Sequence, residues 1–222
     1  IMGSDYIWPR NCTKAIKAAF ETSGGTVVGE AFFPFGTQDF APALQDVKAA
    51  NPDMLWHMVV GADSITFTKQ YRSFNLKPQL VSNAVDEMWA TYIPGEVVAG
   101  IISNMSYFMT LDTPVNKAFV ANYKKKFGPK DQLVPALAEA MYCGTWLYAK
   151  AVAKAGSTDD DKVISAISQV EFDAPQGLVN ISPVNQHMVC NSIAAKARAD
   201  GLFDILEHFG QIEPEVPGCK LA

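Results

Sequence analysis

Apolar and polar positions along this chain alternate between two rhythms. Residues 13–23 set Ala15, Ile16, Ala19 and Phe20 at helical spacing and stop at Gly24-Gly25. Residues 26–30 then read as a strand. Residues 40–50 are helical again, with Leu44, Val47 and Ala50 on one face, and Asn51-Pro52-Asp53 breaks the helix. Residues 54–60 show no polar alternation apart from His57, the pattern of a strand covered on both faces. Asp63 stands where it can cap a helix whose Phe67, Tyr71 and Phe74 form a stripe. Residues 79–82 and 97–103 are two further strand candidates. Strand and helix in regular alternation argue for an α/β fold, a parallel sheet with helices on both faces.

The second half changes character. Pro114 opens a predicted helix that runs to Phe127. Residues 135–155 read as a long helix offering Leu137, Met141, Trp146, Leu147 and Val152 for burial. Gly156-Ser157-Thr158 closes it, and residues 159–170 begin another helix behind an acidic first turn. Extended runs follow at 178–181 and 189–195. Asp200-Gly201 is a hairpin signal, and the Pro- and Gly-containing tail from Glu213 reads as irregular. The opening residues carry neither a charged n-region nor an apolar h-region. They read as a strand entering a loop, as if the chain began inside a domain.

Composition narrows the class. The 222 residues are 49% hydrophobic and 18% charged, which excludes a disordered tail or a disulfide-dense miniprotein. No run approaches the ~18 apolar residues that a membrane-spanning helix needs. The net charge of −5 lacks the basic face that phosphate neutralisation requires, so nucleic acid is not an expected partner. Lys124-Lys125-Lys126 is a solvated helix face. Cys12, Cys143, Cys190 and Cys219 show no paired short spacing, so no metal site and no cofactor is expected. Free thiols and disulfides both remain open.

Catalytic signatures are absent: no GxGxxG, GxxxxGK[ST], GxSxG or HExxH occurs. His57, His187 and His208 are far apart, and His57 reads as a core histidine. Asp86 and Glu87 follow a strand. In an open parallel sheet, ligands bind outside the carboxyl ends of strands, so these acids are either site residues or a helix cap with a first-turn acid. Tyr6 and Trp8 lie two apart, so an extended segment would turn both to one side. Two aromatic walls suit a small, flat, uncharged ligand.

Gly3-Ser4-Asp5-Tyr6-Ile7-Trp8-Pro9-Arg10, followed by a helix and Gly24-Gly25, resembles the periplasmic amide- and urea-binding proteins. These are members of the Leu/Ile/Val-binding, type I periplasmic-binding family. Val59-Val60-Gly61, Tyr107-Phe108 with Asp112-Thr113-Pro114, and Ala138-Glu139-Ala140-Met141-Tyr142 add to the likeness. Asp173-Ala174-Pro175-Gln176-Gly177, with Asn185-Gln186-His187 after it, is the most specific stretch, and the matches run in order from residue 3 to about 206.

The resemblance implies two α/β lobes joined by hinge crossings, with ligand held between them. Residues 1–105 and 187–222 would form the second lobe, and 106–186 the returning segment of a first lobe whose N-terminal part is missing. Residues 104–107 and 183–187 would be hinge crossings. It also implies a site at Tyr6, Trp8, Val60, Asn83 and Asp86. Trp8 stands where the amide binders carry a tyrosine, and Asn83 where they carry a threonine. An Asp86 facing the cleft would suit an amino-acid ammonium; an Asp86 capping a helix would favour a neutral amide or urea. The implied function is periplasmic capture of a small amide, urea or amino acid for an ABC permease. A cytoplasmic amide-sensing regulator of the same fold is the alternative, and a small α/β enzyme a remoter one. An incomplete first lobe would invite association through exposed apolar surface.

Overall fold

The computed structural model describes residues 1–128 and 133–214. Cys219 and most of the expected irregular tail lie outside the described residues. Strands β1 (Met2–Ser4), β2 (Ala31–Phe33), β3 (Met54–Met58), β4 (Gln79–Ser82) and β5 (Ile102–Met105) form a parallel sheet in the order β2-β1-β3-β4-β5. Helices α1 (Ile7–Thr22), α2 (Ala41–Ala50) and α3 (Gly61–Ser73), and the short α4 (Gly95–Val98), are the connections. Each crossover returns the chain so that the next strand runs the same way.

The remaining strands are antiparallel. β6 (Glu171–Ala174) and β7 (Gly177–Ile181) form a hairpin, and β8 (Met188–Ala197) and β9 (Phe203–Ile212) form another. β8 belongs to both parts of the sheet: Met188 and Val189 pair with β7, whereas Ile193 to Lys196 pair with β5. Residues 183–187, expected as a hinge crossing, instead make the tight β7–β8 turn, where the Ser182 amide donates to the His187 carbonyl at 2.8 Å. The passage between ladders is made inside β8. Helices α5 (Pro114–Phe127), α6 (Ala136–Ala155) and α7 (Asp160–Ile167) occupy the stretch between β5 and β6.

The main core gathers Phe40, Leu44, Leu55, Phe67, Tyr71, Leu80, Ile101 and Phe203. His57 sits in it fully buried, its ring stacked on Phe67 at 4.4 Å and its Nε2 2.7 Å from the Ser64 hydroxyl. Burial pushes its pKa down to about 3, so it is neutral at ordinary pH. A smaller core around Cys143, Leu147, Val179 and Ile181 holds α6 to β6 and β7.

Further sequence expectations need correction. Asp63 does not cap α3, which starts at Gly61 and holds Asp63 inside its first turn. Residues 26–30 are not a strand: β2 starts at Ala31, of the backbone only the Gly29 carbonyl, which accepts from the Ile1 amino group at 2.9 Å, is engaged before it, and Val28 stays exposed. Residues 97–103 divide into the end of α4 and the start of β5. The segment carrying Trp8 is not extended: α1 starts at Ile7, and Pro9 is accommodated in its first turn, where a backbone N–H would lack an intrahelical partner anyway. Finally, α6 buries Ala136, Glu139, Cys143, Leu147 and Ala151, and leaves Leu137, Met141 and Trp146 exposed. Polar partners decide that last outcome. The Glu139 carboxylate accepts from the Gln176 side-chain amide at 2.8 Å and from the Cys143 thiol at 3.0 Å, so an acid occupies the inner stripe.

Candidate functional site

The carboxyl ends of β1, β2, β3 and β4 open on one edge of the sheet, and the chain leaves each strand there into a loop or helix. Tyr6 leaves β1 and is the residue before α1; Val60 leaves β3 and is the residue before α3. Both have extended backbones, and neither helix start has a side-chain cap. The first-turn amides of α1 and α3 therefore meet this edge without a capping side chain.

Gly3 explains how α1 comes so close to β1. A Cβ on Gly3 would stand 2.8 Å from Pro9 Cβ and 3.3 Å from Met58 Cβ, so only glycine allows this approach. The adjoining strand is tied in by the Ser4 hydroxyl, which accepts from the Val60 amide at 3.1 Å.

Aromatic rings collect at this edge. Tyr6 and Trp8 have ring centroids 6.2 Å apart, although Trp8 is helical. Phe35, from the loop after β2, stands 5.3 Å from Tyr6. Sequence patterning passed over Phe35, because an apolar residue in a Pro34-Phe35-Gly36 turn carries no periodic signal. Burial raises the Tyr6 hydroxyl pKa, with a further contribution from Cys12 nearby, so the phenol stays protonated. The Asn83 side-chain amide donates weakly to the Cys12 sulfur at 3.8 Å, and its Oδ1 is buried with no hydrogen-bond partner. That carbonyl oxygen can accept a hydrogen bond.

Asp86 is held by backbone amides. It is 5% exposed, and its two carboxylate oxygens accept from Met88 N at 3.1 Å and Ala136 N at 2.9 Å. It caps the short helical turn Glu87–Thr91 and also meets the start of α6. Of the alternatives open from sequence, the structure displays the cap. Burial raises its pKa, and hydrogen bonds from the backbone amides of Ala136, Met88 and Asp86 itself oppose the rise. Glu87 is fully buried beside it, and burial, with the Asp86 charge adding to it, pushes its pKa up to about 8.

Among the described residues, no group of His, Cys, Asp and Glu could hold a metal ion, and no helix is long and apolar enough to cross a membrane. Among the described residues, Cys12, Cys143 and Cys190 form no disulfide with one another. A cavity of about 430 Å³ beside Phe20, Val47 and Trp56 includes the amino ends of β1 and β3, the strand ends opposite those that carry the aromatic cluster.

Comparison with known proteins shows what the chain is similar to. The family model of the periplasmic binding protein domain matches residues 1–216. The Leu/Ile/Val-binding protein homolog 6 of Brucella melitensis is 30% identical over 196 residues, covering 85% of this chain and 50% of that protein. A solute-binding protein of an ABC transporter from Rhodopseudomonas palustris HaA2, solved with p-hydroxybenzoic acid, superposes with a TM-score of 0.83 at 29% identity, over 98% of this chain and 60% of that one. A second solute-binding protein from R. palustris, solved with benzoate, shares the fold, with a TM-score of 0.85 at 22% identity over 99% of this chain and 61% of that one. The chain thus spans about half the length of that Brucella relative.

Proposed function

The chain belongs to the periplasmic binding protein domain family, and on that premise we propose that it carries the ligand-capturing edge of an extracytoplasmic solute-binding protein serving an ABC transporter. The observation that carries this reading is the cluster of Tyr6, Trp8 and Phe35 at the carboxyl edge, with Val60 and Asn83 on neighbouring strand ends. Flat apolar walls with a few polar groups are the make-up of a small-molecule site. Capture needs no bond to break; closure of the first lobe over this edge would trap the solute and shift the protein to its closed form. Residues 106–186 would belong to that other lobe.

The solute class follows from the polar groups. Asp86 is 5% exposed and turned to the backbone amides of Met88 and Ala136, which makes it a poor partner for the ammonium of an amino-acid solute. A neutral amide or urea, or a carboxylate, suits the remaining groups better. The Trp8 indole donates only, Tyr6 donates and accepts, and the Asn83 carbonyl accepts. The p-hydroxybenzoic acid in the R. palustris relative supports including aromatic carboxylates in this class.

A thermal-shift panel on the full-length protein tests the reading, with acetamide, benzamide, urea, benzoate, 4-hydroxybenzoate, leucine and valine. A ligand at 100 times its Kd stabilises the native state by about 2.7 kcal/mol, a shift of several degrees. Shifts with amides, urea or aromatic carboxylates support it. A shift confined to leucine and valine contradicts the solute class, and no shift at all contradicts the capture role.

A further inference from the structure

Phe35 is 62% exposed, yet the turn that carries it is held in place. The Pro34 carbonyl accepts from the Thr37 amide at 3.3 Å and from the Thr37 hydroxyl at 2.7 Å, closing the turn. Gly36 has φ of +88°, a conformation that favours glycine. Its amide donates to Asp63 Oδ2 at 2.7 Å, a charge-assisted bond to the first turn of α3. Asp63 itself is only 7% exposed. A single exposed apolar ring ordinarily needs no explanation. This one is fixed 5.3 Å from the Tyr6 ring, and its loop is tied to the same helix that Val60 precedes.

The three rings offer different chemistry. Tyr6 and Trp8 each bring a polar atom; Phe35 brings none. A wall without a polar atom contributes little to urea or acetamide, whose surfaces are largely polar. It stabilises a ligand with a flat apolar body to lay against it. We infer that Phe35, positioned by the Gly36–Asp63 hydrogen bond, is a specificity-determining wall that selects solutes bearing a planar aryl group. The inference rests on the carboxyl edge being the ligand site, and it holds whether the polar end of the solute is an amide or a carboxylate. Asp63 is a positioning residue, since it acts through the turn.

The test is calorimetric titration of the full-length protein and its Phe35→Ala and Asp63→Ala variants with two pairs of probes, benzoate with acetate and benzamide with acetamide. The wild type is expected to bind the aryl member of at least one pair at least tenfold more tightly than the short member. Phe35→Ala is expected to weaken the aryl member about tenfold, and to leave the short member within about twofold. Asp63→Ala should produce a smaller loss of the same selective kind. Phe35 is exposed, so an unchanged unfolding midpoint confirms that the variant is folded. Aryl probes bound equally well by Phe35→Ala, or short probes weakened as much as aryl ones, overturn the inference while the ligand edge stands. A wild type that binds neither pair overturns it together with the site.

Discussion

The Met109 amide donates to Glu87 Oε1 at 2.7 Å, while Glu87 Oε2 lies buried with no hydrogen-bond partner. A carboxyl in that position is more comfortable neutral than charged. Its pKa rises from 4.5 to about 8, because burial opposes ionisation and Asp86 adds like charge. The folded state therefore holds a proton that the unfolded chain releases, and stability falls as pH climbs through that window. The denaturant midpoint should be higher near pH 5 than near pH 8, and Glu87→Gln should flatten the difference while keeping the bond to Met109. An equal slope in wild type and variant would show that Glu87 ionises freely.

Asp86→Ala removes the acceptor of two backbone amides. It is expected to lower stability by ~1–3 kcal/mol in chemical denaturation, the cost of a lost cap plus a buried donor without a partner. Relative affinities within the solute panel should stay as they were. Selective loss of leucine or valine binding would instead put Asp86 on an ammonium.

Gly3→Ala would place a methyl 2.8 Å from Pro9 Cβ, pushing the start of α1 off β1. Overpacking of this kind costs ~1–3 kcal/mol. Because Tyr6 and Trp8 ride on that helix start, solute affinity should fall along with the melting temperature. Full affinity in a destabilised variant would mean that the ring positions do not depend on the close approach.

Helix α6 shows solvent a stripe of Leu137, Met141 and Tyr148, exposed by 69%, 72% and 52%. An apolar stripe of that kind on a chain spanning part of its relatives favours association. Sedimentation of this chain should show concentration-dependent self-association, and Met141→Lys with Leu137→Glu should reduce it without lowering the unfolding midpoint. A chain that stays monomeric at high concentration contradicts the expectation.

Much of this was legible in the sequence. The parallel half declared itself through periodicity, and residues 79–82 and Pro114–Phe127 fell where the pattern put them. The proposal of capture at the carboxyl edge rests on the general behaviour of parallel sheets, and the Tyr6 and Trp8 rings do stand together, 6.2 Å apart. Their local geometry was misread, because Pro9 next to Trp8 signals an extended segment as strongly as it signals a first helical turn. The inner face of α6 was misread for a different reason. Hydrophobic spacing favoured Leu137 and Met141, whereas Glu139 goes inside because Gln176, 37 residues away, offers it hydrogen bonds. Phe35 was invisible because what sets it in place, the Gly36 amide on Asp63, spans 27 residues and leaves no local pattern.

The most direct test of the capture edge is calorimetric titration of the full-length protein and its Tyr6→Ala variant with whichever solute of the panel gives the largest thermal shift. Tyr6 stands between Trp8 and Phe35, so its removal opens the middle of the wall. The account predicts saturable one-to-one binding in the wild type and at least a tenfold loss of affinity in the variant, with the fold retained. Equal affinity in both proteins would contradict it, and would move the binding site away from the carboxyl edge.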